Sequence, residues 1–582
     1  MGSFLSDTWF FSGEVKEDFS RRVPEEARPF ALRPDGLCDL DEIAGAGSAE
    51  GTEGVVYNTF ELPAPRQLGF GFCCDWWEEV WLNGEMVYTT FPSGNNTSFF
   101  APDNHTFICG GRAGKNLLAV RVRRGGASWV FGAAAIPPER IDPCLPLTIT
   151  VDPEKRLGPV KPMNAVNNGP VGARTTQVRS NVEPWQKARI PFCRTHDSSF
   201  CSAYGGEHTV DVHAVFPDFS RDPDDPASYD FTLTDGFLKR TMEAGTQVFY
   251  RLGSKIEHWP KKYGTRPPAD FRKWAVICEH IIRHYNEGWA GGFRMNILYW
   301  EIWNEPDCRD DATWQGGLEL FCTFFRTAAL HLKKCFPGLK IGGPALGFDL
   351  TWARHFLEHL TAGERVPLDF FSWHIYTVEP VSIARKGEAV RRLLDEFGYT
   401  AAESILDEWN YVRGWGADFV YSIETIIGIK GAAFTAACMA VGQSAPVDML
   451  MYYDARPCVF NGLFDFYTLR PLKGYYPFLA WSELAALGEQ IAAETRGRPG
   501  VYAAAASDGK GKVGVFVSRF FESARLPGPL ELTLEIKGVP AAGFRARLLD
   551  ASHDFTEVPL AVGPEGSLKL SLEANTLIYI GN

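Results

Sequence analysis

Residues 296–306 read "NILYWEIWNEP". The apolar run from Ile297 to Trp300 continues through Ile302 and Trp303 and stops at Pro306. A short run of β-branched and aromatic residues closed by a proline predicts a buried strand, because proline cannot donate to a sheet ladder. Glu305 is then left at the strand end, between an asparagine and a proline. If the sheet is parallel, that end is a rim where several strands deliver polar side chains.

Seven other runs share this character: "VKPMNAV" (160–166), "ARIPFCRTHD" (188–197), "TQVFYRLG" (246–253), "LKIGGPALG" (339–347), "LDFFSWHIYT" (368–377), "ESILDEWN" (403–410) and "VDMLMYYDAR" (447–456). Longer helix-like segments lie between them, among them 267–286 and 315–336. Eight strand–helix units over about 330 residues predict a (β/α)₈ TIM barrel spanning 160–490. A doubly wound open sheet is the alternative, but neither G-x-G-x-x-G nor a Walker sequence accompanies the pattern.

The flanks differ. Residues 1–140 read as short alternating strands, with Asn83-Gly84 in "EVWLNGE" as a hairpin turn. An N-terminal β-sandwich is expected there. The proline-rich stretch 141–159 reads as a linker, and 491–582 as a C-terminal β-sandwich of alternating strands with glycine turns. The expected fold class is therefore multidomain, a central barrel between two sandwiches.

The chain has 582 residues and a net charge of −13, with no basic stripe, which argues against nucleic acid and anionic membranes as partners. No apolar run is long enough to span a bilayer. The first residues lack the charged and apolar regions of a signal peptide. The 13 cysteines are odd in number and form no C-x-x-C pair, as expected of reduced thiols and a cytoplasmic location. No metal or cofactor motif is evident, and His280 and His284, four apart on a helix, read as an exposed face. A homo-oligomer stays open. Aromatic residues make up 13% of the chain, including 17 Trp, and suit sugar rings as well as cores.

Polar residues gather at the ends of the predicted strands: Arg194 and His196, Asn304 and Glu305, His374 and Tyr376, Asp407, Glu408 and Asn410, and Tyr453, Asp454 and Arg456. Catalysis in a TIM barrel sits at that rim. Glutamates on the fourth and seventh strands suggest the carboxylate pair that glycoside hydrolysis requires, one acid and one nucleophile or base. Asp407 and Glu408 are adjacent, and alternation along a strand lets only one of them face the site. Loop residues His213, Asp218, Trp259, Trp409 and Trp415 are further candidates for the mouth, the tryptophans for stacking on a sugar.

"WEIWNEPD" followed about a hundred residues later by "ILDEWN", together with "RTHD" and "WHIYT", resembles glycoside hydrolase family 39, the β-xylosidases and α-L-iduronidases of the large retaining clan. The resemblance covers roughly 160 to 490. It implies Glu305 as acid/base, Glu408 as nucleophile and Asn304 on the sugar 2-hydroxyl. It also implies His196 and His374 on the glycone, Tyr376 near the nucleophile and Arg194 as the charge that keeps Glu408 ionised. The N-terminal sandwich resembles the jelly-roll, galactose-binding-like domain that precedes the barrel in many glycosidases. There Trp76, Trp77 and Trp129 read as core or as a glycan platform. One departure concerns the glycone. The stretch "MYYDARPCVFNGLFD" puts Tyr452, Tyr453 and Asp454 where the family's xylosidases carry a tryptophan and acidic residues. The expected function is a retaining, exo-acting, β-xylosidase-like hydrolase of a carbohydrate substrate. The alternatives are another glycone (arabinosidase, galactosidase), a transglycosylase, or a non-catalytic glycan-binding protein.

Overall fold

The computed structural model describes residues 3–45, 47–95, 100–126, 128–173, 178–196, 209–257, 260–308, 312–563 and 566–582. The chain divides into two compact units, Met1–Leu145 with Gly497–Pro499 and Pro146–Arg496 with Gly500–Asn582.

The first unit pairs a six-stranded with a four-stranded antiparallel sheet. Alternating side chains such as Val56, Phe70, Phe72, Val120 and Phe131 fill one core between them. Asn83 and Gly84 both have positive φ, 54° and 88°, as a two-residue turn of matching twist demands, and Leu82 pairs with Glu85 across it. Trp129 is not a platform: it is buried in this core, edge-on to Phe11 at 5.6 Å. Trp76 and Trp77 are half-buried.

The second unit holds a closed parallel barrel of eight strands in sequential order. They are β1 (Ala165–Asn167), β2 (Phe192–Thr195), β3 (Gln247–Leu252), β4 (Tyr299–Ile302), β5 (Lys340–Leu346), β6 (Phe370–Thr377), β7 (Glu403–Tyr411) and β8 (Met449–Tyr452). Every expected run overlaps one of them. Pairing of β8 with β1, through Ala165 and Met451, closes the ring.

Side chains alternate across a strand, so the barrel interior is built in layers two residues apart. Ala165, Phe249, Tyr299, Phe370, Ile405, Met449 and Met451 form an apolar layer, with Phe192 packed against it. Two residues further along, the same strands present Arg194, Arg251, Glu301, Ser372 and Asp407, all fully buried. The interior therefore changes from hydrocarbon to ion pairs in one step toward the C-terminal rim.

The stretch 141–159 is not a linker throughout. Leu147–Pro159 is a strand of a ten-stranded sheet, antiparallel to Glu489–Glu494 and parallel to Leu530–Ile536. Its alternating Leu147, Ile149 and Val151 are buried with Leu532, Val515 and Ile578 in the sheet's own core. The C-terminal β-structure thus takes a central strand from before the barrel. The opposite face of this sheet, including Phe516, Leu577 and Tyr579, joins the barrel's outer core. Helix Ile429–Ser444 is buried on nearly every side, which fits its alanine-rich, non-amphipathic sequence.

Candidate active site

Arg194, on β2, organises the rim. Its Nε donates to Glu301 Oε2 (2.7 Å) and lies 3.0 Å from Asp407 Oδ2. Nη1 donates to Asn167 Oδ1 and Glu408 Oε2, both at 3.2 Å, and Nη2 donates to Asn304 Oδ1 at 2.7 Å. One guanidinium thus ties together β1, β4 and β7. Because the Asn304 oxygen faces Arg194, its amide nitrogen is turned away and free to donate elsewhere.

His374, on β6, sits above this layer. Its Nδ1 is 2.7 Å from Glu305 Oε1 and 3.7 Å from Glu408 Oε2, and its Nε2 is 3.4 Å from Asp407 Oδ1. Tyr376 Oη donates to Glu408 Oε1 at 2.5 Å. Single ligating atoms of Glu305, His374 and Glu408 all lie within 4.8 Å of one another. Such a trio has the donor set of a cation site, but the Arg194 guanidinium already lies 3.2 Å from Glu408 Oε2 and opposes a second positive charge there.

Asp407 and Glu408 both face inward, contrary to simple alternation. The register between β6 and β7 runs Trp373 to Leu406 and then His374 to Glu408, and on the other side Leu406 pairs with Leu450 before Trp409 pairs with Tyr452. Asp407 is the extra residue of a β-bulge, which re-aims the chain so that consecutive carboxylates share a face. The bulge also turns Trp409 outward. It is buried against Tyr452 (5.5 Å) and Phe434 (6.3 Å), so it lies in the outer core and not in a sugar-binding position.

Glu305 has φ 45°, and Trp303 two residues earlier has φ 78°. Non-glycine residues in that region cost on the order of 1–3 kcal/mol each and persist only where neighbours hold them. Here the Glu305 N–H donates to Ala345 O (2.9 Å), its carbonyl accepts from Thr313 Oγ1, and Trp303 Nε1 donates to Thr313 O (2.9 Å). Asp307 accepts the N–H groups of Gly347, Phe348 and Asp349 at 2.7–2.9 Å, fastening the loop after β4 to the loop after β5.

The charges interlock. Burial pushes the Glu408 carboxyl up to about 7; His374, Arg194 and the Tyr376 hydroxyl resist this, while Glu305 reinforces it. Burial likewise lifts Glu301 to about 8, with Arg194 opposing and Asp407 adding to the rise. Burial would raise Asp407 too, but Arg194 and His374 outweigh it and hold the carboxyl near 2. For His374 burial favours the neutral ring, yet the charges of Glu408 and Asp407 raise it to about 10. At neutral pH His374 is therefore an imidazolium between two carboxylates, and Glu408 is close to its titration midpoint. Burial pulls Lys386 down to about 8, while its amino group donates to His374 O (2.6 Å) and Gly347 O (3.1 Å).

Of the other sequence candidates, His196 is buried with its Nε2 4.0 Å from Glu408 Oε2, and Tyr453 packs edge-on to it with ring centres 6.1 Å apart. Trp415 is 57% exposed and meets the Tyr376 ring at 5.0 Å, so it stands at the mouth. Asp454 is buried and occupied by Asn168 Nδ2 (2.9 Å), the Arg456 N–H (2.7 Å) and Arg456 Nε (3.1 Å), which makes it a holder of the loop after β8. His213 is exposed on the rim, Asp218 accepts the Ser220 N–H on a surface turn, and Trp259 lies outside the described residues. His284 is not exposed. It is buried, stacked on Phe231 at 3.6 Å, with Nε2 3.0 Å from Asp235.

Sequence reading missed Arg251. Fully buried on β3, it donates through Nη2 to His196 O (2.8 Å) and Asp211 Oδ1 (2.7 Å), fixing the backbone that carries His196. Its position two residues after Phe249, matching Arg194 after Phe192, was the available signal. Asn167, Asp307 and Lys386 carried none, since their partners are distant in sequence.

Residues 147–398 match the family model described as Glycosyl hydrolases family 39. That stretch is similar to the family over most of the barrel. The family 39 match includes Arg194, His196, Asn304, Glu305, His374 and Tyr376 and stops before Glu408, which rests on geometry. A β-xylosidase of Caldicellulosiruptor saccharolyticus is 27% identical over 268 residues, 42% of this chain and 52% of that protein. A β-xylosidase of Geobacillus stearothermophilus is 30% identical over 183 residues, 31% of this chain and 32% of that protein. The chain thus spans about half or less of those curated relatives. A glucosidase structure from Croceicoccus marinus aligns with a TM-score of 0.61 at 22% identity, covering 75% of this chain and 98% of that one. A monomeric β-xylosidase from Caulobacter crescentus aligns at 0.55 and 14%, covering 75% and 99%. These two share the fold.

Proposed function

We propose that this protein is a retaining glycoside hydrolase acting by double displacement at the exposed end of a glycan, with Glu305 as acid/base and Glu408 as nucleophile. The observation that carries this is the approach of their carboxylate oxygens to within 4.8 Å. Retaining pairs are separated by about 5–5.5 Å and inverting pairs by about 6.5–9.5 Å, because only the latter leave room for water between base and sugar.

In this reading Glu305 protonates the leaving oxygen while Glu408 attacks the anomeric carbon. Water, deprotonated by Glu305, then releases the sugar. The outward amide of Asn304 meets the 2-hydroxyl, and Trp415 offers a stacking face beside Tyr376. A β-xyloside is the first glycone to try, since the curated relatives are β-xylosidases. The loop after β8, with Tyr453 facing His196, is where another glycone would be selected. A panel of aryl glycosides tests the reading: turnover of at least one supports it, and turnover of none contradicts it.

Two predictions arise here. Glu305→Gln loses about 10²–10⁴-fold in kcat/KM on glycosides with poor leaving groups and far less on activated aryl glycosides, which need no protonation. Equal losses on both would contradict the acid assignment. Second, kcat/KM on an activated aryl glycoside falls as pH drops below about 7, because Glu408 takes up a proton there. Tyr376→Phe removes a hydrogen bond that favours the carboxylate, so this limb moves to higher pH. A limb that stays in place would show that Tyr376 does not tune Glu408.

A further inference from the structure

Among the described residues, two clusters bring ligating atoms of three His, Cys, Asp or Glu side chains within 4.8 Å of one another. One is Glu305, His374 and Glu408 at the rim. The other, Glu279, His331 and Cys335, is half-buried and has no part in the chemistry above. It lies between the helix that follows β3, Phe271–Asn286, and the helix that follows β4, Gly317–Cys335, which pack on each other. His331 and Cys335 are four residues apart and share one face of their helix, and Glu279 meets them from the other.

The spacing suits a metal ion. His331 Nε2 is 2.7 Å from Glu279 Oε2, and Cys335 Sγ is 3.8 Å from His331 Nε2. At zinc bond lengths a tetrahedral ion holds its N, O and S ligands about 3.4–3.6 Å apart. The sulfur–nitrogen gap is close to that, and the nitrogen–oxygen gap must open by about 0.7 Å. Glu279 and His331 keep 15% and 31% of their side chains exposed, so both can turn that far. The ion would take the place of the proton now shared between them.

The second Glu279 oxygen is held from behind. Oε1 accepts from Arg283 Nε at 2.8 Å, as metal-ligating carboxylates commonly accept from an outer partner. Arg283 also donates through Nη1 to Glu287 Oε2, so its charge is balanced outside the trio. The rim cluster differs on this point. There Arg194 donates to Glu408 Oε2, the same oxygen that faces His374. Lys334, beside Cys335, is exposed and screened by solvent.

We propose that Glu279, His331 and Cys335 form a Zn²⁺ site that clips these two helices together, with water as the fourth ligand. A thiolate beside an imidazole selects zinc-like transition ions over calcium or magnesium, which prefer oxygen. Binding releases to solvent the Cys335 thiol proton and the proton between His331 and Glu279. The site stands apart from the carboxylate pair and does not rest on the glycosidase reading.

Titration of the reduced, metal-free full chain with Co²⁺, followed by absorption spectroscopy, tests it. One equivalent is expected to give the intense visible bands of a tetrahedral ion and a near-ultraviolet thiolate-to-cobalt band, and Zn²⁺ should displace both. Cys335→Ser should lose the thiolate band, whereas Cys109→Ser, at another half-buried cysteine, should keep it. His331→Ala and the near-isosteric Glu279→Gln should each weaken zinc roughly tenfold or more. Zinc should raise the melting temperature of the parent but not of Cys335→Ser, and melting without metal shows that each variant folds. A thiolate band that survives Cys335→Ser, or zinc affinity unchanged in both His331→Ala and Glu279→Gln, overturns the site. So does the weak absorption of six-coordinate cobalt without a thiolate band, which would place the ion among oxygen ligands elsewhere.

Discussion

Glu408→Ala is expected to abolish turnover, with kcat falling on the order of 10⁴-fold or more even on activated aryl glycosides, as removal of a nucleophile does elsewhere. A better leaving group cannot compensate, because the missing group is the one that attacks carbon. This separates Glu408 from Glu305, whose loss an activated leaving group masks. Asp407 is the natural control. It faces the same interior through the β-bulge, but its carboxylate is 3.0 Å from Arg194 and 3.4 Å from His374. Asp407→Asn should therefore act by loosening Arg194 and His374 while leaving a nucleophile in place. Steady-state rates on one activated substrate decide the matter. A Glu408→Ala enzyme retaining a tenth of its rate, or an Asp407→Asn enzyme as dead as Glu408→Ala, would contradict the assignment.

Arg194→Met should cost both stability and activity. The substitution keeps a long apolar stem but removes the guanidinium that meets Glu301, Asp407 and Glu408, all of them buried, and leaves His374 facing Asp407 and Glu408. Taking one partner from a buried ion network costs roughly 3–5 kcal/mol, because the remaining charges stay desolvated and unpaired. For a unit of this size that corresponds to a lowering of Tm by roughly 3–6 °C. Its Glu408 should also become harder to ionise, since Arg194 favours the carboxylate form. Differential scanning calorimetry and the pH–rate profile read the two effects separately. A Tm within about 2 °C of the parent would mean that the network relaxes or takes up protons at little cost.

Much of the barrel was legible because parallel strands covered on both faces leave continuous apolar runs, and these runs end in polar residues at one rim. The strand context placed Glu305 at the rim, and its role as acid/base was implied by the resemblance. The errors have a common source in non-local geometry. Leu147–Pro159 looks like a linker because its prolines and charges dominate locally, whereas its partners lie more than 300 residues away, at Glu489–Glu494 and Leu530–Ile536. A β-bulge leaves no mark in composition, so alternation wrongly allowed only one of Asp407 and Glu408 to face the site, and Trp409 looked like a sugar contact. His284 was readable after all. It follows Ile277 and Ile281 at helical spacing, on the buried face of Phe271–Asn286.

The most direct test of the account is covalent. Incubation with a 2-deoxy-2-fluoro-xyloside carrying an activated leaving group, followed by proteolysis and mass spectrometry, should find one glycosyl adduct, on Glu408. An adduct on any other residue, or turnover of activated xylosides with inversion and no adduct at all, would contradict double displacement at this carboxylate pair.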